Sequence, residues 1–329
     1  TAGSSHTCAI LDNGDLKCWG RDNVGQLGDG SNIDTNAPSS TAIDLGTGRT
    51  AVAVDAGYYH TCTILDNGDL KCWGSDGHGQ LGDGGTNTDL NAPSSTAIDL
   101  GTGRTAVAVS AGSSHTCAIL DNGDLKCWGR NNVGQLGDGS NIDTNAPSST
   151  AIALGTGRTA VAVSAGTGHT CAILDNGEAK CWGYDNDGQL GDGGTNANTN
   201  APSSTAIDLG TGRTAVAVST GHASEHVCAI LDNGDLKCWG YDHIGQLGDG
   251  GSNTNTNAPS STAIDLGTGR TAVSVSVGQF HTCAILDNGD AKCWGYDYSG
   301  QLGDGGSSIN INAPSSTAID LGTGRTAVA

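Results

Sequence analysis

A stretch of fifteen residues, His-Thr-Cys-Ala-Ile-Leu-Asp-Asn-Gly-Asp-Leu-Lys-Cys-Trp-Gly from His6 to Gly20, is written six times with small changes along the 329-residue chain. The cysteine pairs of the copies begin at Cys8, Cys62, Cys117, Cys171, Cys228 and Cys283, a period of about 55 residues. A fixed period of this length defines a modular fold. Each unit is one supersecondary element that buries its apolar face only by packing on its neighbours.

Within the motif, two β-prone segments flank Asp12-Asn13-Gly14, a strong turn signal. A three-residue loop closed by a left-handed glycine pairs Leu11 with Asp15, Ile10 with Leu16, Ala9 with Lys17 and Cys8 with Cys18. A two-residue Asn-Gly turn would instead set Cys8 against Trp19, so the cysteine spacing selects the longer loop. Directly opposed cysteines at a non-hydrogen-bonded site are compatible with a disulfide. Every copy keeps the spacing, which predicts Cys8–Cys18, Cys62–Cys72, Cys117–Cys127, Cys171–Cys181, Cys228–Cys238 and Cys283–Cys293. Each staple is worth up to ~3 kcal/mol by loop-closure entropy. Six disulfides imply an oxidising compartment, so an extracellular or cell-surface location is expected.

Outside the motif each unit carries Gly-Gln-Leu-Gly-Asp-Gly, then Asn-Ala-Pro-Ser-Ser-Thr-Ala-Ile-Asp-Leu, a Gly-Thr-Gly-Arg turn and an Ala-Val-Ala-Val segment. Apolar on both faces, that last segment reads as a strand buried on both. No window has helical spacing. Four short strands per unit predict an all-β, closed β-propeller of six four-stranded antiparallel blades, a single domain over 1–329. Thr326–Ala329 is expected to complete the blade begun by the N-terminus. A leader or signal peptide is expected to be absent from the numbered chain, which starts at Thr1.

Net charge is −20, from 34 acidic and 14 basic residues, which argues against nucleic acid, since phosphates need clustered Lys and Arg. No apolar run approaches the roughly 18 residues of a membrane helix, so no membrane insertion is expected.

The units resemble the regulator-of-chromosome-condensation repeat family. The resemblance rests on Gly112-Ser113-Ser114-His115-Thr116, Asp121-Asn122-Gly123, Trp128-Gly129 and Asn131-Asn132-Val133-Gly134-Gln135-Leu136-Gly137, and it spans the whole chain. It implies a propeller, and the paired cysteines are similar to those of secreted bacterial members. Functions in that family are diverse, including nucleotide exchange on a small GTPase, light sensing and enzyme inhibition, so the resemblance implies fold more than activity. No insertion large enough for an exchange wedge interrupts the period. One tryptophan per unit (Trp19, Trp73, Trp128, Trp182, Trp239, Trp294) reads as packing rather than photochemistry.

Candidate chemistry is sparse. His6, His60, His115, His169, His226 and His281 could ring a channel and hold metal, but sixfold repetition favours hydrogen-bonded structural residues. Asp185-Asn186-Asp187-Gly188, with Asp192 beyond, has part of the spacing of a calcium loop without its terminal glutamate. No phosphate loop, nucleophile elbow or unique triad is present, so no cofactor and no enzyme activity are expected.

The copies differ mainly in the loops before His-Thr-Cys and after Cys-Trp-Gly, which alternation of antiparallel strands puts on one face. There lie Tyr58, Tyr59, His222, Glu225, Phe280, Tyr184, Tyr241, Tyr296 and Tyr298, with Arg21, Asp187 and His243. Loops on a rigid scaffold carry function, and aromatics favour contacts. The opposite face is regular, with Arg49, Arg104, Arg158, Arg213, Arg270 and Arg325 among the turn aspartates, expected as internal ion pairs. The expected function is a non-enzymatic scaffold engaging protein or glycan through the variable face. The alternative is a self-assembling subunit of a surface filament or layer, hence a homo-oligomer.

Overall fold

A computed structural model describes residues 1–306 and 309–328. The first unit is a hairpin of β1 (His6–Ile10) and β2 (Leu16–Gly20). Each later unit is a three-stranded antiparallel sheet. The second comprises β3 (Ala51–Ala56), β4 (His60–Leu65) and β5 (Leu70–Gly74), and the third β6 (Ala106–Ala111), β7 (His115–Leu120) and β8 (Leu125–Gly129). The others are β9 (Ala160–Ala165) to β11 (Ala179–Gly183), β12 (Ala215–Thr220) to β14 (Leu236–Gly240), and β15 (Ala272–Val277) to β17 (Ala291–Gly295). No helix occurs among the described residues.

The hairpin register follows from its turn. Leu11 N donates to Asp15 O at 2.8 Å, Ile10 faces Leu16, and Cys8 faces Cys18. Gly14 closes the loop at φ +83°, and a Cβ there would press within 2.6 Å of Thr50 Cβ. All six predicted disulfides are formed, and no free cysteine occurs among the described residues.

Within each unit, two expectations need correction. The inner strand is not buried on both faces: the register shifts between Ala51 and Ala53, and Val52 at that bulge is 60% exposed. Val107, Val161, Val216 and Val273 repeat this, because a bulge turns its extra residue away from the ladder. The fourth strand is not a ladder either. Thr35 pairs with Gly20 as an isolated bridge, and Ile43 N donates one bond to Leu16 O at 2.9 Å. Pro38 and the hydroxyl turns between these points interrupt pairing, because proline has no N–H to give and Ser39 Oγ takes the Thr41 N–H.

The sheets pack face to face in chain order, with their inner strands around a common cavity. Five apolar clusters fill the five joints between successive sheets. One joins Cys62, Ile64, Leu70 and Cys72 of the second unit to Ala106, Ala118, Leu120 and Trp128 of the third, with Ile98 and Leu100 between them. Each joint is also keyed by polar groups. Trp73 Nε1 and Thr61 Oγ1 both donate to Gln26 O, at 3.1 and 2.8 Å. His6 Nε2 lies 2.9 Å from Thr61 Oγ1. Gly28 must be bare, since a Cβ would overlap the Trp73 indole.

At the ends, Ala2 bridges Thr7 and Gly3 N donates to His6 O at 2.8 Å, so the N-terminus takes part of the inner-strand position of the first unit. Ala327 N donates to Gly289 O at 2.8 Å, as Ala51 N does to Gly14 O at 2.9 Å. No hydrogen bond links residues 322–328 to the first unit among the described residues. The expected strand at Thr326–Ala329 is therefore not formed over 326–328, and Ala329 lies outside the described residues.

Candidate binding face

Strand alternation brings the two variable loops of each unit together. The residue after Trp-Gly donates its N–H to the residue before His, as in Arg21 N to Ser5 O at 2.7 Å, Ser75 N to Tyr59 O at 2.9 Å and Tyr296 N to Phe280 O at 2.8 Å. This seam fixes the backbone beneath each variable side chain.

Two aromatic groups stand on the face. In the first, Tyr58 and Tyr59 meet edge to face at 4.5 Å, Arg21 caps Tyr59 at 5.6 Å, and His222 reaches Tyr58 at 6.2 Å from the fifth unit. The second runs His243–Tyr241 at 4.8 Å, Tyr241–Phe280 at 6.3 Å, Phe280–Tyr296 at 6.2 Å and Tyr296–Tyr298 at 5.3 Å. A hollow of about 200 Å³ lies between them, lined by Tyr58, Thr167, Glu225, Gln279 and Phe280. Beneath it the axial cavity, about 800 Å³, is lined by Asp55, Ser110, Ser164, Ser219 and Ser276 from the inner strands and by His222.

Acidic groups border the second aromatic group. Burial, and then the neighbouring Asp187 carboxylate, raise the Glu225 carboxyl above the usual range. Asp187 accepts from Asn255 Nδ2 at 2.7 Å. Burial also raises the Tyr184 and Tyr241 hydroxyls, with the charges of Glu225 and Asp187 adding to it. Burial lowers His222, and Asp55 partly opposes that. All nine sequence-predicted residues lie on this face. Tyr58, Tyr59 and His222 form one group, Tyr241, Phe280, Tyr296 and Tyr298 the other, and Glu225 lines the hollow between them. Tyr184 forms no aromatic pair among the described residues.

The repeated motifs go elsewhere. The Thr61 hydroxyl gives its proton to Gln26 O, so His6 Nε2 carries the hydrogen between them. Burial lowers His6 to about 4 and His60, His115 and His226 to about 3, which keeps them neutral inside the joints. No group of three or more His, Cys, Asp or Glu side chains placed to hold a metal occurs among the described residues. Asp185 Oδ1 accepts from Leu190 N at 2.9 Å and Asp192 Oδ1 from Gly194 N at 2.7 Å, which is turn chemistry. On the opposite face Arg49, Arg104, Arg158, Arg213 and Arg270 pair with Asp66, Asp121, Asp175, Asp232 and Asp287 at 3.2–3.4 Å, as expected.

Sequence reasoning missed one buried set. Asp22, Asp76, Asp185 and Asp242 each bond the N–H five residues on, and burial raises all four to about 6. Asn131 takes the same place in the third unit, where Leu136 N donates to its Oδ1 at 3.0 Å. Their signal was the constant Trp-Gly-x-Asp/Asn spacing.

The fold and its loops define a repeat propeller-type scaffold that presents an aromatic face. The chain belongs to the RCC1-like domain family, whose match covers residues 1–328. It is 29% identical over 315 residues to the ultraviolet-B receptor UVR8 of Arabidopsis thaliana, covering 95% of this chain and 68% of the receptor. It is 27% identical over 297 residues to the human E3 ubiquitin-protein ligase HERC2, covering 90% of this chain and 6% of the ligase. Yeast RCC1 (Prp20), solved bound to Kap60, superposes with TM-score 0.80 at 20% identity, covering 97% of this chain and 74% of that one. Human WBSCR16 superposes with TM-score 0.80 at 20% identity, covering 95% and 80%.

Proposed function

We propose that this protein is a non-enzymatic binding scaffold that engages a partner protein or a glycan through the variable loop face, outside the cell or on its surface. The observation that carries this is the confinement of the aromatic groups and the acidic hollow to one face, while on the other face five arginines are paired with turn aspartates. Rigid aromatic anchors around a hollow are what a binding hot spot needs. Family relatives point the same way: yeast RCC1 was solved bound to Kap60, and its binding to Gsp1p and histones has been described. The six disulfides support the extracellular setting. The face depends on the curvature of the array, because Tyr58 of the second unit meets His222 of the fifth and the hollow is lined from the second to the sixth unit.

The alternative, a self-assembling surface subunit, draws less support. The five Arg–Asp pairs leave little unpaired alternating charge with which a flat face could stack on another copy.

The test is to pan a displayed random-peptide library and a glycan array with the wild type and with Tyr58→Ala/Tyr59→Ala/Phe280→Ala. Ligands of the wild type are expected to lose binding to the triple variant by more than about 100-fold. Thermal stability should change little. Equal binding by both proteins overturns the proposal.

A further inference from the structure

The loop before the buried histidine is longer in the fifth unit, Gly221-His222-Ala223-Ser224-Glu225-His226, than in the third, Gly112-Ser113-Ser114-His115. The added residues are pinned. Ser224 is buried, its N–H donates to Gly221 O at 2.8 Å, and its hydroxyl donates to His226 O at 2.8 Å while accepting from His226 N at 3.0 Å. Thr167 of the fourth unit donates its hydroxyl to Ser224 O at 2.9 Å, and Tyr241 N donates to Glu225 O at 3.0 Å. The backbone that carries the Glu225 carboxyl to the hollow is therefore fixed from both sides, and a group already in place loses little freedom on binding.

The fourth unit adds a second carboxylate. Asp187 stands where the other units carry Val24, His78, Val133, Ile244 and Ser299, and Asn255 Nδ2 donates to it at 2.7 Å. Its charge adds to burial in holding the Glu225 carboxyl above the ordinary range. No ion pair joins Glu225 or Asp187 to a basic side chain among the described residues. The chain's own cations are committed elsewhere. Five arginines are paired on the opposite face, Lys71, Lys126, Lys180 and Lys292 donate to backbone carbonyls at 3.0 Å, and Arg21 lies over Tyr59. The same hollow of about 200 Å³ is walled by Tyr58 and Phe280, which are braced by edge contacts with Tyr59 and Tyr296.

We propose that this hollow receives a lysine or arginine side chain of a partner protein, its cation set against the Glu225 carboxylate and its stem against Tyr58 and Phe280. This rests on the reading of the variable face as the binding face, and it chooses a protein over a glycan. A neutral sugar laid over Glu225 and Asp187 would strip water from two like charges and return none of opposite sign. An ammonium or guanidinium instead makes a charge-assisted hydrogen bond to the carboxylate, and the neighbouring aromatic rings add cation–π attraction. The aliphatic stem of either side chain covers apolar surface while its head stays polar. A net charge of −20 steers basic segments towards the protein from a distance.

Phe280 is the chain's one phenylalanine, so 4-fluorophenylalanine incorporated during expression puts a single fluorine reporter on the wall of the hollow. The full protein is titrated by fluorine NMR with Nα-acetyl-lysine methylamide, with its uncharged counterpart Nα-acetyl-norleucine methylamide, and with methyl glucoside. The lysine probe is expected to shift the Phe280 signal saturably and to bind at least about 10-fold more tightly than either neutral probe. Glu225→Gln keeps the shape of the side chain and removes its charge, so it should weaken the lysine probe about 10-fold and leave the norleucine probe unchanged. The comparison of probes on the wild type needs no variant, so it decides the question even where a variant misfolds. The proposal is overturned if lysine and norleucine bind equally, if methyl glucoside alone shifts the signal, if the lysine probe shifts nothing, or if Glu225→Gln binds lysine as before. Panning separates this from the reading beneath it. Selected ligands that shift the Phe280 signal, lose binding to the triple variant and carry no basic group overturn the proposal and leave the binding face standing. Ligands that bind the triple variant as well as the wild type overturn both.

Discussion

His60 Nε2 lies 2.9 Å from Thr116 Oγ1 across a joint, and the Thr116 hydroxyl donates onward to Gln80 O at 2.8 Å. One hydroxyl thus ties an imidazole of one unit to a carbonyl of that unit through a side chain of the next. The joint is specified by groups that no single repeat can satisfy alone.

Among the described residues the relay is broken at one of the five joints between successive units. Val227 stands where the other later units have threonine, and buried His169 Nε2 has no partner. Val227→Thr restores a hydroxyl of nearly the same volume between His169 and Gln189 O. It should raise stability by about 1–2 kcal/mol, since it satisfies buried polar groups already desolvated. The denaturant midpoint checks this, and a lower midpoint means the hydroxyl cannot reach both partners.

Acid should act on two buried sets in opposite senses. His60 and His226, lowered from 6.5 to about 3, bind protons in the unfolded chain first, so their contribution is complete above about 6.5 and lost as pH falls towards 3. Asp76, raised from 3.8 to about 6, binds its proton in the folded chain first, so acidification from 6 to 4 adds stability there. Asp76→Asn, the solution already used at Asn131, should therefore be more stable than the wild type at pH 7.5. It should also lose stability more steeply between pH 6 and 4. Midpoints measured across that range check the sign, and parallel curves contradict it.

Reduction should be ordered. Cys283 of the Cys283–Cys293 pair is partly exposed, while Cys62 and Cys117 are 0% exposed. Limited reductant followed by alkylation and mass spectrometry should label Cys283 and Cys293 first. Removing the buried pair by Cys62→Ala/Cys72→Ala should cost up to ~3 kcal/mol. Uniform labelling of all six pairs contradicts the ordering.

Local chemistry was legible where it was self-sufficient. Asp12-Asn13-Gly14 and the Cys8/Cys18 spacing determine one hairpin register without reference to anything outside it. The sorting of Tyr58, Phe280 and Tyr296 onto one face followed from strand alternation alone. The joints were not legible, because Trp73 meets a backbone carbonyl, Gln26 O, that carries no side-chain signature. The bulge at Val52 was hidden for a related reason: two residues facing one is a property of the pair of strands, not of either sequence. The interrupted outer segment could have been read from Pro38 and the hydroxyl-rich run after it.

Hydrogen exchange on the wild type, with and without a ligand selected from the peptide library or glycan array, tests the central claim most directly. The account predicts protection in the loops at 57–59, 184–187, 222–225, 241–243, 279–280 and 296–298. The Asp-Asn-Gly and Gly-Thr-Gly-Arg turns of the opposite face should stay unchanged. Protection centred on those turns, with the aromatic loops unaffected, would contradict it.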